Sequence, residues 1–224
     1  MGVYLWTEQT IYDWMLWWRP LQSDLKDYSW NENDWSWYSG TGTFSTVAGK
    51  TGARCTKNSS YLTTQSVITT LNYQSLPITV CGWICFNTRP NSPSNNPRNW
   101  LMSSSNGSWK WYTLWTRPSD SFYPVAAFGT SLRIASSVPS INTWYFWSAT
   151  FEWTTMKTYF NWNLANTSTS ATLGTAWWVW KLWCAMIDSW QTVNNGLDGW
   201  IRHCAVWNRV LSGDEIQAFY NQTT

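Results

Sequence analysis

The sequence predicts an all-β fold: a jelly-roll β-sandwich of two antiparallel sheets with a short C-terminal helix. Three observations predict it. Strand-like runs rich in β-branched and aromatic residues recur at 78–86, 110–115, 122–128, 132–136, 143–151, 155–160, 179–187 and 200–207. Turn clusters separate them at 87–99, 103–108, 137–142 and 194–199. Many short, evenly spaced strands of this kind signal a sandwich or barrel. Ser, Thr and Asn are abundant, as on the exposed faces and loops of antiparallel sheets. At 224 residues the chain reads as one domain over 1–224. A chain of this size buries about 70% of its unfolded surface, so no metal or disulfide staple is obligatory.

Taken in order, the first clear strand is 78–86 (ITVCGWICF). Cys81 and Cys85 lie four apart in it, hence on one face, with their Cα atoms too distant to bridge while the strand stays extended. The polar loop 91–98 (NSPSNNPR) carries two prolines. Strand pattern continues on both sides, so it reads as surface rather than as a domain boundary. In the next run, Trp109, Trp111 and Trp115 share a face by period two. Met156, Thr158, Tyr159 and Phe160 form a strand, and Leu164 can begin the following one. Asn161-Trp162 falls between them, where Asn-Gly is the strongest short hairpin signal. The helix starts at Ser212, an N-cap with Glu215 three residues later, which makes a capping box. Asp214 and Glu215 suit the positive end of the helix dipole. Ile216, Phe219 and Tyr220 are spaced to lay one apolar face on the sheet.

Charged residues are only 12% of the chain, with 14 basic against 12 acidic and a net charge of +2. No basic cluster marks a nucleic-acid partner. No apolar run approaches the roughly 20 residues of a membrane span. Met1 to Asp13 lacks a basic n-region and a continuous apolar core, so it does not read as a secretory signal. The five cysteines (Cys55, Cys81, Cys85, Cys184, Cys204) read mostly as buried thiols, with a disulfide between distant positions left open. Four N-x-[ST] sites, at Asn58, Asn106, Asn166 and Asn221, matter only in a glycosylating host.

Four segments carry a resemblance. Residues 18–21 (WRPL) with 25–35 (LKDYSWNENDW), 78–84 (ITVCGWI), 142–151 (NTWYFWSATF) and 196–216 (GLDGWIRHCAVWNRVLSGDEI) occur in the order of similar motifs in the laminin-G-like branch of the concanavalin A-like lectin/glucanase superfamily. The similarity covers nearly the whole chain. It implies a β-sandwich of that type and a recognition role.

The departures form a pattern. There are 23 Trp and only 12 Gly. Where the family has glycine, this chain has Trp30, Trp35, Trp153, Trp162 and Trp183. Trp37, Trp109, Trp111, Trp177, Trp178 and Trp190 stand in similar contexts. Trp18, Trp83, Trp144 and Trp207 instead match tryptophans of the family. A bulky residue at φ > 0 is strained. The expectation is that the source genome reads the UGA codon as glycine and that translation has rendered it as Trp. A tryptophan-rich sequence that is real is the alternative.

Catalysis is not expected. Glycoside hydrolysis needs two carboxylates flanking the scissile bond, and the E-x-D-x-x-E pattern of the family's glucanases is absent. The one i, i+2 acidic pair, Glu32 and Asp34, falls in the predicted N-terminal loop. The single His203 sits between Arg202 and Cys204 and reads as a locally bonded strand residue. Binding is the remaining class. Trp111 and Trp115 are the candidate carbohydrate-binding residues, since aromatic faces pack on sugars. The competing reading is that Trp115 is core and Trp111 a misread glycine.

Calcium takes six to eight oxygen ligands. Residues 27–34 are dense in oxygen donors, so Asp27, Asn31 and Asp198 are the candidate calcium ligands. Side-chain turns at Asp27 and Asn31 are the alternative. The functional expectation is a non-catalytic module recognising glycan or a surface protein, extracellular, on a cell surface or on a virion. Its rivals are a structural or adhesion module without sugar binding, and a degenerate hydrolase.

Overall fold

The computed structural model describes residues 11, 15–29, 34–39, 42–56, 61–64, 77–88, 100–103, 112–117, 123–128, 131–171, 183–184 and 197–224. The strands are β1 (Met15–Arg19), β2 (Trp35–Ser39), β3 (Thr43–Val47), β4 (Lys50–Cys55), β5 (Tyr61–Thr64), β6 (Ile78–Phe86), β7 (Trp100–Ser103) and β8 (Tyr112–Arg117). They continue with β9 (Tyr123–Phe128), β10 (Ser131–Arg133), β11 (Trp144–Glu152), β12 (Thr155–Phe160), β13 (Asn163–Ser168), β14 (Trp183–Cys184) and β15 (Gly199–Trp207). Helix α1 (Gly213–Thr223) follows. One sheet has the order β13-β12-β11-β6-β15-β4-β3, with β1 also on β15; the other runs β10-β9-β8-β7-β14-β5-β2. Every pairing between the described strands is antiparallel.

Strand periodicity places the core. In β6, Ile78, Val80, Ile84 and Phe86 face the other sheet, where Leu114, Ala126 and Phe128 meet them in one cluster. The alternate residues Cys81, Trp83 and Cys85 face outward and are buried too, under Ile216 and Phe219 of α1. A sheet covered on both faces reads as a continuous apolar run, which is why all nine residues of β6 are buried. Strand β11 alternates likewise: Trp147, Ala149 and Phe151 point between the sheets, Trp144 and Phe146 under the helix. Phe128 of one sheet stacks on Phe151 of the other at 5.4 Å.

The helix forms where its cap predicts. The Glu215 N–H donates to Ser212 Oγ at 3.2 Å, and the Ser212 N–H donates to Glu215 Oε2 at 2.8 Å. Phe219 packs edge-on against Trp207 (5.1 Å), and Tyr220 stacks on Trp83 (5.0 Å). Trp83 Nε1 donates to Thr223 Oγ1 at 2.8 Å, tying the last turn of α1 to the centre of β6.

One edge of β15 serves two partners. Gly199–Ile201 pair with β4, and Cys204 through Trp207 pair with β1. The register against β6 shifts between Arg202 and Ala205, and the extra residue of this bulge is His203, with φ of 46°. Its N–H donates to the carbonyl of Pro20 (3.1 Å) in the gap between the two partners. The bulge restores the alternation, so Ile201, Cys204 and Val206 face the inter-sheet core while Ala205 and Trp207 face the helix.

Candidate functional site

A groove of about 650 Å³ opens between the loop after β10 and the β12–β13 hairpin. Strands β10 and β13 are the edges of the two sheets and come together here, so the groove lies along an open side of the sandwich. The size falls in the range of small-ligand sites.

Its lining follows from two local features. The β12–β13 connection is a two-residue turn, which places Asn161 and Asn163 at either end of it. Strand β13 then bulges: Tyr159 pairs with Leu164 and Thr158 with Asn166, leaving Ala165 unpaired. A flat strand would show alternate residues to one side, but the bulge re-aims the chain and residues 163–166 all line the groove. Ser136 and Ser137 face them from the other wall. Phe160 forms part of the floor, held by a stack on Tyr145 at 5.4 Å.

Among the described residues, neither charge nor a titratable group lines the groove. The polar groups are amides and hydroxyls, which can both donate and accept. Asn161 Oδ1 accepts from the Phe146 N–H (3.0 Å), which fixes the orientation of that amide and leaves its Nδ2 hydrogens for a ligand. Asn163 Nδ2 donates to the Asn161 carbonyl at 3.1 Å, so the amide carrying the free oxygen is likewise oriented. Such a surface suits a neutral, hydroxyl-rich ligand.

Of the residues singled out from sequence, Asp27 and Asp198 are described in full and do not line the groove. Trp115 is in β8, its backbone paired with Trp100 and Val125; its side chain, with Trp109, Trp111 and Asn31, falls outside the described residues. Asp27 is buried and makes a side-chain turn: its Oδ1 accepts from the N–H groups of Trp18 (3.1 Å) and Ser29 (2.9 Å), and its Oδ2 from Ser29 Oγ (2.9 Å). Asp198 immediately precedes β15. It pairs with Arg54 at 2.5 Å and accepts from Asn87 Nδ2 at 2.9 Å, while the Arg54 guanidinium lies 4.6 Å over the Trp200 ring. Among the described residues no three His, Cys, Asp or Glu side chains cluster in metal-binding reach.

His203 is buried among cations. Its Nε2 lies 2.8 Å from Arg202 Nη2 and 3.0 Å from Gln22 Nε2. A guanidinium can only donate, so Nε2 is the acceptor and the proton sits on Nδ1. Burial, with Arg202 and Lys50 adding to it, pushes its pKa down to about 3. The described thiols are buried and free at Cys55, Cys81, Cys85 and Cys204. Burial raises Cys55 and Cys81 well above the ordinary thiol range and pushes Cys85 up to about 12.

Apart from the hairpin signal at Asn161 and the N-x-[ST] site at Asn166, no motif marks the groove residues. The signal that could have found them is the run of asparagines at 161, 163 and 166, too polar for a strand that must bury a face.

Two stacked antiparallel sheets with a capped helix on the outer face of the larger one define a lectin-type sandwich. The Laminin_G_3 family model, described as Concanavalin A-like lectin/glucanases superfamily, matches residues 56–217. The chain therefore belongs to that family. A comparison with curated proteins finds no match.

Among solved structures, the chain is similar to domain 4 of AbnA, a GH43 extracellular arabinanase from Geobacillus stearothermophilus, in complex with arabinotriose. The TM-score is 0.72 at 10% identity, over 92% of this chain and 98% of that one. It is also similar to the botulinum neurotoxin serotype D binding domain, with a TM-score of 0.69 at 16% identity over 96% of this chain. A botulinum neurotoxin type C structure, whose cell entry depends on two ganglioside molecules, gives 0.67 at 17% identity over 97%. The chain spans about half the length of these toxin structures, 52% and 53%. At such identities the likeness is one of fold. No helix among the described residues is long and apolar enough to cross a membrane.

Proposed function

We propose that this domain is a non-catalytic recognition module that binds neutral carbohydrate, acting outside the cell. The observation that carries the reading is the uncharged groove of oriented amides, hydroxyls and one stacked aromatic ring at the open side of the sandwich. Sugar hydroxyls each donate and accept, and Asn is among the side chains that can answer both roles. Support of a weaker kind comes from relatives of the same fold whose names specify arabinotriose and gangliosides as ligands.

The test is a glycan array probed with the folded domain, with arabinotriose included. Neutral oligosaccharides are expected to bind. The double substitution Asn163→Ala and Asn166→Ala should weaken binding by about tenfold or more, since each removes hydrogen bonds worth about 1 kcal/mol. Both side chains are exposed, so the variant should fold. Binding unchanged in that variant would move the site elsewhere.

A second reading, a structural or adhesion module, rests on β13. It is a sheet edge whose residues Asn163 to Thr167 are all exposed, and an open edge can receive a strand from a partner protein. Silence on the array with retained binding to a surface protein favours this reading.

A further inference from the structure

Three hairpins of the larger sheet turn in two residues, and each asks one position for glycine. Between the paired Val47 and Lys50, Ala48 has φ of 47° and Gly49 of 76°. Between the paired Phe160 and Asn163, Asn161 has φ of 47° and Trp162 of 65°. Between the paired Glu152 and Thr155, Trp153 alone is positive, at 55°. Two positive φ values make a type I′ turn, which favours glycine second; a positive value at the first central residue alone is the II′ pattern, which favours glycine first. The first hairpin has its glycine. The other two carry an indole at the position that favours glycine.

Neither indole belongs to the core. Trp153 is 86% exposed and Trp162 37%. The tryptophans at 83, 144, 147 and 207 are of another kind: all are buried, in strands, at no more than 8% exposure. Trp144 Nε1 donates to the Val47 carbonyl (2.9 Å) and Trp207 Nε1 to that of Ile11 (2.7 Å). A tryptophan-rich composition by itself would not sort the residue into core positions and left-handed turn corners.

We infer that positions 153 and 162 are glycine in the protein as its own host makes it, through UGA codons that the host decodes as glycine and the written sequence renders as tryptophan. The inference is independent of the ligand reading and constrains it. Position 162 stands between two groove-lining asparagines, so glycine there leaves the rim without an aromatic ring, and recognition falls to the amides and Phe160.

Peptide mapping by mass spectrometry, on protein purified from its natural host, decides it. The expected result is glycine at 153 and 162, with tryptophan intact at 83, 144, 147 and 207. Tryptophan at either turn overturns the inference. The coding DNA gives a second readout: UGA at 153 and 162 with UGG at the four buried positions is expected, and UGG at the two turns overturns it.

Discussion

Made with the sequence as written, the domain should gain stability when Trp153 and Trp162 are both replaced by glycine. A non-glycine residue in the left-handed region costs about 1–2 kcal/mol. Against this, a glycine adds unfolded-state entropy worth about 0.4–1 kcal/mol. Trp153 loses almost no packing, being 86% exposed. Trp162 is less exposed, at 37%, and gives back part of its gain. The net is about 1 kcal/mol at position 153 and somewhat less at 162, so about 1.5–2 kcal/mol for the pair. For a domain of this size each kcal/mol moves Tm by about 2–4 °C, which puts the shift at about 3–8 °C upward. Differential scanning calorimetry of the recombinant domain and its Trp153→Gly/Trp162→Gly variant measures this directly. Truncating two aromatic side chains to hydrogen is ordinarily neutral or destabilising. A Tm that falls, or stays within a degree, would refute the argument that these turns are strained. Trp144→Gly supplies the contrast, since it removes a buried core ring and should be strongly destabilising.

Further outcomes follow from other parts of the structure. His203 has an unperturbed pKa of 6.5 and is held near 3 when folded; the unfolded chain therefore binds its proton first, and stability present above pH 6.5 is lost as pH falls toward 3. The loss should approach about 1.4 kcal/mol per pH unit below 6.5, and His203→Asn, which tolerates the positive φ, should flatten urea midpoints across that window. Ile216→Ala, 1% exposed, should cost about 2–5 kcal/mol, and Ser212→Ala about 1 kcal/mol through the lost cap, both read in urea melts. The four described thiols should resist a thiol-reactive dye in the folded domain and label in denaturant; fast native labelling of Cys55, Cys81, Cys85 or Cys204 would contradict their burial.

The parts of the fold that sequence made legible are those whose pattern is set locally or by burial on both faces. Residues 78–86 and 155–160 were readable as strands because their apolar content exceeds what a loop tolerates, and α1 because its cap is local chemistry. Asn161-Trp162 was readable as a turn in spite of its tryptophan. Strands β3 and β4 (TFSTV and KTGARC) are not legible in sequence: neither alternates cleanly, and they form because β15 and their own two-residue turn hold them in register. In β13 only Leu164 carries a strand signal, since an exposed edge has no buried face to write into the sequence. The bulge at His203 left no composition signal, because it arises from two partners sharing one edge of β15. The groove was illegible for a related reason. Its walls come from 134–137 and 160–166, brought together by the approach of two sheet edges.

Because β6, β4 and β1 all take hydrogen bonds from residues 199–207, the larger sheet has no complete middle until that late segment is in place. During synthesis three earlier strands must wait on the ribosome with unpaired edges, and closure joins segments nearly two hundred residues apart. Folding should accordingly be slow and late, and the waiting edges are where nascent copies of this domain would first stick to one another.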